Sequence, residues 1–457
     1  MLSTEIFRTG AAGLVICLMA GIVNAETLEG ALVKAYKGNP TLKAERARLR
    51  ATDEGIPQAL SGWRPTVELS ASYGFARANS SLTGRDKIGD VREPLVGSLK
   101  ITQNLYRGGR IAAATDQAES RVKADRARMA DTEQKLLVGV VIAYADVVRG
   151  QAEVDLNISN ERVLQRQSEA TGDRFRVGEV ARSEVSQAES RLARARADRI
   201  ASEGSLIDAR ASYESLVGEA PKFLKPAKPL DQLPMSLSDS VELAKQNNFA
   251  VSLARATERT ARDGIRLVIG ELLPNLTLNG ALDISQETAN DRNESEEVSL
   301  IARVSVPLYA SGAATSRVRQ AKQIASQRRE EFNQAVRTAV KAATDAWQTL
   351  QTARARIKAF SAAVNAANIA LEGIREEANV GSRTVLDVLD AEQELLDARV
   401  GRVRAMRDEL VATYQLRQAV GAATAERLEL PVTLYNVDDH YREVRGKWWG
   451  LGANDGK

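Results

Sequence analysis

Two long stretches of this chain contain no proline, and they constrain the fold more than any other feature. They run from Pro94 to Pro221 and from Pro307 to Pro431. Proline breaks helix interiors, so both stretches are free to be mostly helix. Apolar residues and alanines recur there at three- and four-residue spacing, which is typical of amphipathic helices. A 60-residue helix would be about 90 Å long, deeper than any globular core. The helices must therefore bury their apolar stripes against each other, as coiled coils.

The two halves of the chain are copies of each other. The segment LEGALVKAYKGNPTL at Leu28 corresponds to LSDSVELAKQNNFAV at Leu237, at an offset of 209, and further along the offset is 203. Each half is predicted to contain helix, strand, strand, helix and helix in that order. We assign the first repeat to residues 26–220, a proline-rich linker to 221–235, the second repeat to 236–425 and a C-terminal segment to 426–457.

Each repeat contains two segments in which apolar and polar residues alternate. They lie at about 66–78, 94–106, 276–286 and 297–309. Period-two alternation over about 10 residues predicts strands with one apolar face, of the length that spans a membrane. Four strands cannot close on themselves, and open edges invite aggregation. Three copies would bring together twelve strands, and a soluble β-sandwich face is the alternative.

The first 25 residues have the pattern of an export signal. Arg8 precedes an apolar run from Ala11 to Val23, and the stretch ends in a small-x-small site at Ala25. We predict cleavage after Ala25. The alternative, a membrane anchor, requires a longer run. Cys17, the only cysteine, lies in this segment, so the mature chain could form neither a disulfide nor a thiolate metal site.

The composition argues against an enzyme and against a nucleic-acid-binding protein. The formal net charge is only +3, with acids and bases interspersed, whereas nucleic-acid binders usually carry a concentrated basic face. His440 is the sole histidine, so a histidine-based triad or a His/Cys metal site cannot be assembled. We therefore predict no catalytic residues, no metal and no cofactor.

The sequence resembles the TolC family of outer-membrane factors, the channel-tunnels of efflux pumps and type I secretion systems. Three motifs carry the resemblance: LEGALVKAYKGNPTL at 28–42, GWRPTVELSASYG at 62–74 and VGSRTVLDVLDAEQELLDAR at 380–399. The resemblance implies a homotrimer in which a 12-stranded β-barrel in the outer membrane continues into a 12-helix coiled-coil periplasmic tunnel. It also implies an equatorial belt around the tunnel, formed by the linker and the C-terminal segment.

This resemblance implies a passive exit duct for drugs or secreted substrates. Its partners would be a periplasmic adaptor, an inner-membrane RND or ABC transporter and outer-membrane lipid. A periplasmic coiled-coil scaffold or adaptor that forms no pore is the alternative. The coil tips would dock the adaptor, through the residues Val177, Gly178, Glu179, Val380, Gly381 and Ser382.

Two aspartates after the second tip are candidates for a periplasmic gate. Asp387 and Asp390 are three residues apart and share a helix face. Within one chain they fit a solvated face or partners for arginines, but threefold symmetry would stack them as two acidic rings. Such rings attract hydrated cations, and crowding of like charges would raise carboxylate pKa values. The resemblance adds a gate latch between Arg383 and the pair Ser183 and Glu184, with Ala378 where the family has a tyrosine.

Overall fold

The computed structural model describes residues 26–80, 87–288 and 293–452. The predicted signal peptide, residues 1–25, lies outside the described residues. Within the described ranges, no helix combines the length and apolar composition needed to cross a membrane.

The first repeat begins with three short helices and ends with a long helical hairpin. Its elements in chain order are α1 (Leu28–Gly38), α2 (Pro40–Asp53), α3 (Gly55–Leu60), a 3-10 turn (Ser61–Trp63), β1 (Thr66–Tyr73), β2 (Ala76–Ser80), β3 (Lys87–Arg92), β4 (Leu95–Arg107), α4 (Arg110–Arg176) and α5 (Arg182–Val217).

The second repeat also runs from helices through strands to a long helical hairpin, but with two helices and two strands before the hairpin, and one more helix follows it. Its elements are α6 (Leu237–Asn247), α7 (Phe249–Ile269), a 3-10 turn (Gly270–Leu272), β5 (Asn275–Gln286), β6 (Glu294–Ser305), α8 (Ala313–Asn379) and α9 (Val385–Ala419), and then α10 (Asp439–Arg445). The duplicated, mainly helical fold predicted from the sequence is confirmed.

The strands differ from the prediction in three places. The first one ends at Tyr73 rather than near 78, because Pro94, opposite Gly74, accepts a bond but has no N–H to donate in return. The last one ends at Ser305 rather than near 309, because Pro307 has no N–H to donate to a strand ladder. The polar connection after β1 is partly structured, since Ala76–Ser80 pairs with Lys87–Arg92 as a separate hairpin. This pairing uses backbone groups and needs no apolar side chains, so alternation of hydrophobicity did not indicate it.

One antiparallel sheet joins the two repeats, in the order β1-β4-β5-β6. Apolar positions oppose each other across it: Leu69 faces Leu99, Leu99 faces Leu282 and Leu282 faces Val298. Because side chains alternate between faces, one face of the sheet is apolar along its middle rungs, and Gln286, Glu294 and Glu296 occupy the same face at its far end. It is also exposed, with Leu69 at 78% and Val298 at 79% of their full accessibility. β1 and β6 are the unpaired edges of this sheet.

The pairing register within each repeat is equivalent. Val67 faces Ile101 in the first repeat, and Leu276 faces Val304 in the second. Val67 corresponds to Leu276 at an offset of 209, and Ile101 corresponds to Val304 at an offset of 203. The first repeat therefore has six more residues between its paired positions, and these lie at the β2–β3 end.

The long helices form two antiparallel hairpins. α4 and α8 each contain 67 residues, which corresponds to about 100 Å. Along the tip-proximal half they pack against α5 and α9, and along the other half against the short helices. The contact between α8 and α9 is a heptad-like row of small and branched residues, namely Val364, Ala367, Leu371, Val388, Ala391, Leu395 and Ala398.

An asparagine joins the returning helix to a short helix in each repeat. Asn39 caps α2 by accepting from the Thr41 N–H at 2.9 Å, and its amide donates to the Leu216 carbonyl near the end of α5, also at 2.9 Å. Asn248 caps α7 in the same way and donates to the Ala419 carbonyl at 2.9 Å. Each asparagine thus satisfies free backbone groups at two helix ends at once.

We call the junctions at Asn39 and Asn248 the first and the second joint. The largest apolar cluster lies beside the first joint. It gathers residues from α1, α4, α5, α9 and the C-terminal segment around the fully buried Tyr144 and Tyr213. The Tyr144 hydroxyl lies 2.9 Å from the Glu26 carbonyl oxygen and 2.6 Å from that of Lys225. Burial raises the Tyr144 pKa to about 12. The linker and the start of the described chain are therefore fixed to the same core.

We expect the second joint to tolerate alanine less well than the first. Gly218 and Gly421 follow α5 and α9 with φ angles of +88° and +72°. A Cβ at Gly218 meets nothing within 4 Å, whereas one at Gly421 would lie 2.1 Å from the Asn247 carbonyl oxygen. Gly218→Ala should cost about 1 kcal/mol for its left-handed backbone, and Gly421→Ala about 1–3 kcal/mol more for the clash.

Denaturant unfolding followed by helical circular dichroism would measure this difference, with Gly218→Ala as the matched control. Equal unfolding midpoints for the two variants would contradict the close approach at Gly421.

Candidate functional site

Both coil tips are tight turns with an exposed valine. Val177 and Val380 are 72% and 81% exposed, and the glycine that follows each has a φ near +80°. The turns close through equivalent bonds: the Glu179 N–H donates to Arg174 O and the Ser382 N–H to Glu377 O, both at 2.9 Å. The two halves therefore present the predicted docking residues in the same backbone geometry.

Asp387 lies in the first turn of α9 and caps that helix. Its carboxylate accepts from the Thr384 N–H at 2.9 Å and from the Thr384 hydroxyl at 2.8 Å. The Asp387 N–H in turn donates to the Thr384 Oγ1 at 3.3 Å, which completes a capping box. These backbone and side-chain bonds lower the pKa of Asp387, and the Arg383 guanidinium adds to the effect. Within a single chain the pKa of Asp387 is therefore lowered, whereas crowding of like charges in a trimer was expected to raise it.

Asp390 is one turn further along α9 and is paired with an arginine of the other repeat. Arg191 of α5 donates from Nη2 to the Asp390 Oδ1 at 2.5 Å. About half of the Asp390 side chain remains exposed. A half-exposed pair of this kind is worth about 1 kcal/mol or less, so it can break and re-form.

In the described part of the chain, no hydrogen bond or ion pair joins the predicted latch residue Arg383 to Ser183 or Glu184. Arg383 donates to the Glu377 carboxylate of its own tip at 2.8 Å. Ser183 and Glu184 lie in the first turn of α5, where the Glu184 N–H donates to the Ala181 carbonyl. A link from Arg383 to this pair would have to form between protomers, and it stays a prediction.

An apolar contact holds the two hairpins together just behind the tips. Val385 and Leu389 of α9 are buried against Leu164 of α4 and Ala195 of α5. Arg191 lies four residues before Ala195 and therefore on the same face of α5, which places its guanidinium beside Asp390. Asp387 and Asp390, the predicted gate residues, thus lie beside an apolar contact between the two repeats.

Two charged residues of this region were missed by the sequence analysis. Arg191 and the buried Glu392 form pairs across helices, with Asp390 and with Arg375 at 2.7 Å. No local pattern identifies them, because each partner comes from another helix. In the described part of the chain, no group of His, Cys, Asp and Glu residues could hold a metal ion.

The fold and the site define a class of protein. Two long coiled-coil hairpins with acidic residues behind their tips, attached to a sheet whose apolar face is exposed, are the parts of an outer-membrane channel with a helical extension. The outer membrane efflux protein family matches residues 31–219 and 240–422, and the chain belongs to this family.

Individual relatives agree with this assignment. The chain is 33% identical over 434 residues to the outer membrane efflux protein BepC of Brucella suis, covering 95% of this chain and 93% of the relative. It is 28% identical over 420 residues to the outer membrane protein TolC of Vibrio cholerae, covering 89% and 93%. The structure superposes on the CmeC outer membrane channel of Campylobacter jejuni with a TM-score of 0.80 at 15% identity, covering 93% and 90%.

The chain is therefore an outer-membrane exit duct, as the resemblance implied, and not the periplasmic scaffold that was the alternative. The family is one of channel proteins rather than enzymes.

We expect the Asp387 cap to make the start of α9 sensitive to acid. A carboxylate whose pKa is lowered by folding stabilises the folded form at every pH above its ordinary pKa, which is about 3.9. This stabilisation is lost as the pH falls through the lower pKa of the folded state. Amide exchange at residues 385–389, normalised for intrinsic rates, should accelerate as pH falls below about 4. Asp387→Asn should abolish this pH dependence.

Glu184→Gln is the matched control for this experiment. It alters the equivalent position of α5, whose N-cap residue Ala181 makes no side-chain capping bond. An identical pH dependence in the wild-type chain and in Asp387→Asn would show that the capping box does not hold the turn.

Proposed function

We propose that this chain forms a homotrimeric conduit that receives drugs or secreted substrates from a periplasmic adaptor and an inner-membrane RND or ABC transporter. The observation that carries the proposal is the sheet, whose exposed apolar rungs cross both repeats, from Leu69 through Leu99 and Leu282 to Val298. The chain supplies no energy source of its own, so transport through it is passive. The periplasmic ends of the hairpins receive the adaptor.

The open edges of the sheet support a trimer. β1 and β6 present unpaired backbone groups, which cost several kcal/mol each in lipid. Edge-to-edge pairing between copies satisfies these groups, and three copies give the twelve strands expected from the resemblance. Outer-membrane lipid then contacts the apolar face.

The coiled coil also presents a surface for a neighbouring copy. A groove beside α8 is lined by alanines at three- and four-residue spacing, namely Ala335, Ala339, Ala342 and Ala346. Small residues at this spacing allow another helix to approach closely, and lateral burial is what helices of this length require. Helix α8 is therefore the side on which we place the next protomer.

Asp387 and Asp390 form the periplasmic gate and selectivity ring in this proposal. In the resting protomer both charges are partly compensated, Asp387 by the helix N-terminus and Asp390 by Arg191. When α9 moves away from α5, the Arg191–Asp390 pair breaks and Asp390 contributes its full charge to the pore. Arg383, Ser183 and Glu184 act as the latch between neighbouring protomers, and the tip residues dock the adaptor.

The proposed conduit is tested by its mass and its conductance. Protein extracted from membranes in detergent should have three times the mass of one chain, and it should produce discrete conductance steps in a planar lipid bilayer. A monomer that inserts without conducting would contradict the proposal.

We expect the acidic rings to set ion preference. Asp387→Asn combined with Asp390→Asn should reduce the cation-to-anion permeability ratio by roughly twofold or more, because the rings attract hydrated cations. Reversal potentials in a salt gradient would measure the ratio. The matched variant is Arg191→Gln, which removes the compensating charge beside Asp390 and should raise cation preference. An unchanged ratio in the double variant would place the selectivity ring elsewhere.

A further inference from the structure

The C-terminal residues lie against the helix-proximal end of the sheet. The Lys447 carbonyl accepts a hydrogen bond of 2.8 Å from Arg64 Nη1, and the Arg64 guanidinium lies 4.9 Å from the centre of the Trp448 ring. Arg64 is two residues before β1, and the Gln103 side chain of β4 donates to the neighbouring Trp63 carbonyl at 3.0 Å. The segment from Lys447 to Gly452, which we call the tail, therefore sits where the strands meet the coils.

The position of the tail is fixed by the helix before it. Three contacts hold α10 and its N-cap to the first repeat: His440 Nδ1 lies 3.2 Å from the buried Asp53 Oδ2, Arg126 pairs with Asp438 at 2.7 Å, and Arg445 pairs with Glu119 at 3.1 Å. Arg126 and Arg445 also lie over the Tyr441 ring. The tail is thus held at the end of the sheet by α10, which precedes it, and by the contacts of Lys447 and Trp448 with Arg64.

The tail exposes an unusual amount of apolar surface for so few residues. Trp448, Trp449 and Leu451 are 68%, 91% and 105% exposed, and the nearby Trp63 is 47% exposed. Tryptophan favours the boundary between water and the hydrocarbon of a membrane, where its ring is apolar and its N–H is hydrated. These exposed apolar residues lie beside Arg64, two residues before the first strand of the sheet.

The charge around the tail is suited to phospholipid headgroups. Between Tyr441 and Gly452 there are three basic residues, Arg442, Arg445 and Lys447, and one acidic residue, Glu443. Arg445 is paired with Glu119 and Arg442 lies 4.0 Å from Asp438, so the cations beside the tryptophan rings are Lys447 and Arg64. Basic side chains beside an apolar cluster are typical of surfaces that bind anionic lipid.

We propose that Trp63, Trp448, Trp449 and Leu451 form a lipid-contact patch. The patch inserts at the headgroup level of the periplasmic leaflet of the outer membrane. The inference rests on the proposed function, since the sheet sets the level of the membrane. The patch fixes how deep the channel sits, because it marks the point below which the coils must remain in water. Basic residues beside the rings bind the phosphates of the same lipids.

Tryptophan quenching by brominated phospholipid tests the patch directly. The chain has four tryptophans, so Trp63→Phe with Trp347→Phe leaves only the two tail tryptophans. This variant would be reconstituted at full length into phosphatidylethanolamine–phosphatidylglycerol vesicles. Bromine near the headgroup should reduce the emission to roughly half, and bromine deep in the acyl chain should reduce it less.

The matched control carries Trp63→Phe, Trp448→Phe and Trp449→Phe and retains only Trp347. Trp347 lies in α8 and packs against apolar residues of α6 and α9. It is about 50 Å along α8 from the end nearest the sheet, so brominated lipid should leave its emission unchanged. Conductance of each variant, recorded in a planar bilayer, reports insertion independently of the tail.

The possible results separate the two proposals. Conductance with lipid quenching of the tail supports the patch. Conductance with quenching by aqueous acrylamide alone places the tail in water, and conductance with neither kind of quenching places it against a second copy of the chain. Both of these overturn the patch and leave the conduit intact. Failure of the wild-type chain to insert and conduct overturns the conduit and the patch together.

Discussion

The asparagine joints are the interaction on which the rest of the structure depends. A 67-residue helix needs a partner along its whole length, yet the chain must also leave the coil to build the sheet. Asn39 and Asn248 resolve this conflict, because each caps a new helix and satisfies a carbonyl at the end of an incoming one. The partner of each long helix is therefore assembled from separate segments, and the asparagine hydrogen-bonds to backbone groups at both of the helix ends that meet.

The sheet and the tips are both consequences of this arrangement. With the coils aligned by the joints, the four strands emerge side by side and their apolar positions fall into register on one face. At the opposite end the same alignment brings α9 against α4 and α5, where Val385 and Leu389 are buried. The aspartates behind the tip lie next to this contact, so coil packing determines where these two charges lie.

The sequence predicted the local features of this fold but not the contacts between the two repeats. The proline-free stretches predicted the coils and the alternating segments predicted four strands, because both depend on residues that are close in the chain. Thr384 and Asp387 also have the spacing of a capping box, although the sequence analysis interpreted Asp387 only as a gate charge. The Arg191–Asp390 pair spans 199 residues, and only the packing of one repeat against the other defines it.

The equivalent registers of the two hairpins show where this architecture tolerates changes in length. The two repeats differ by six residues, yet Val67–Ile101 and Leu276–Val304 occupy the same rung. The difference is confined to the far end of the hairpin, where an even number of residues can be gained or lost without rotating any side chain to the other face. An insertion in a coil would instead displace every later side chain around the helix. Exterior loops can thus diverge, or accept an inserted epitope, while the conduit beneath them keeps its dimensions.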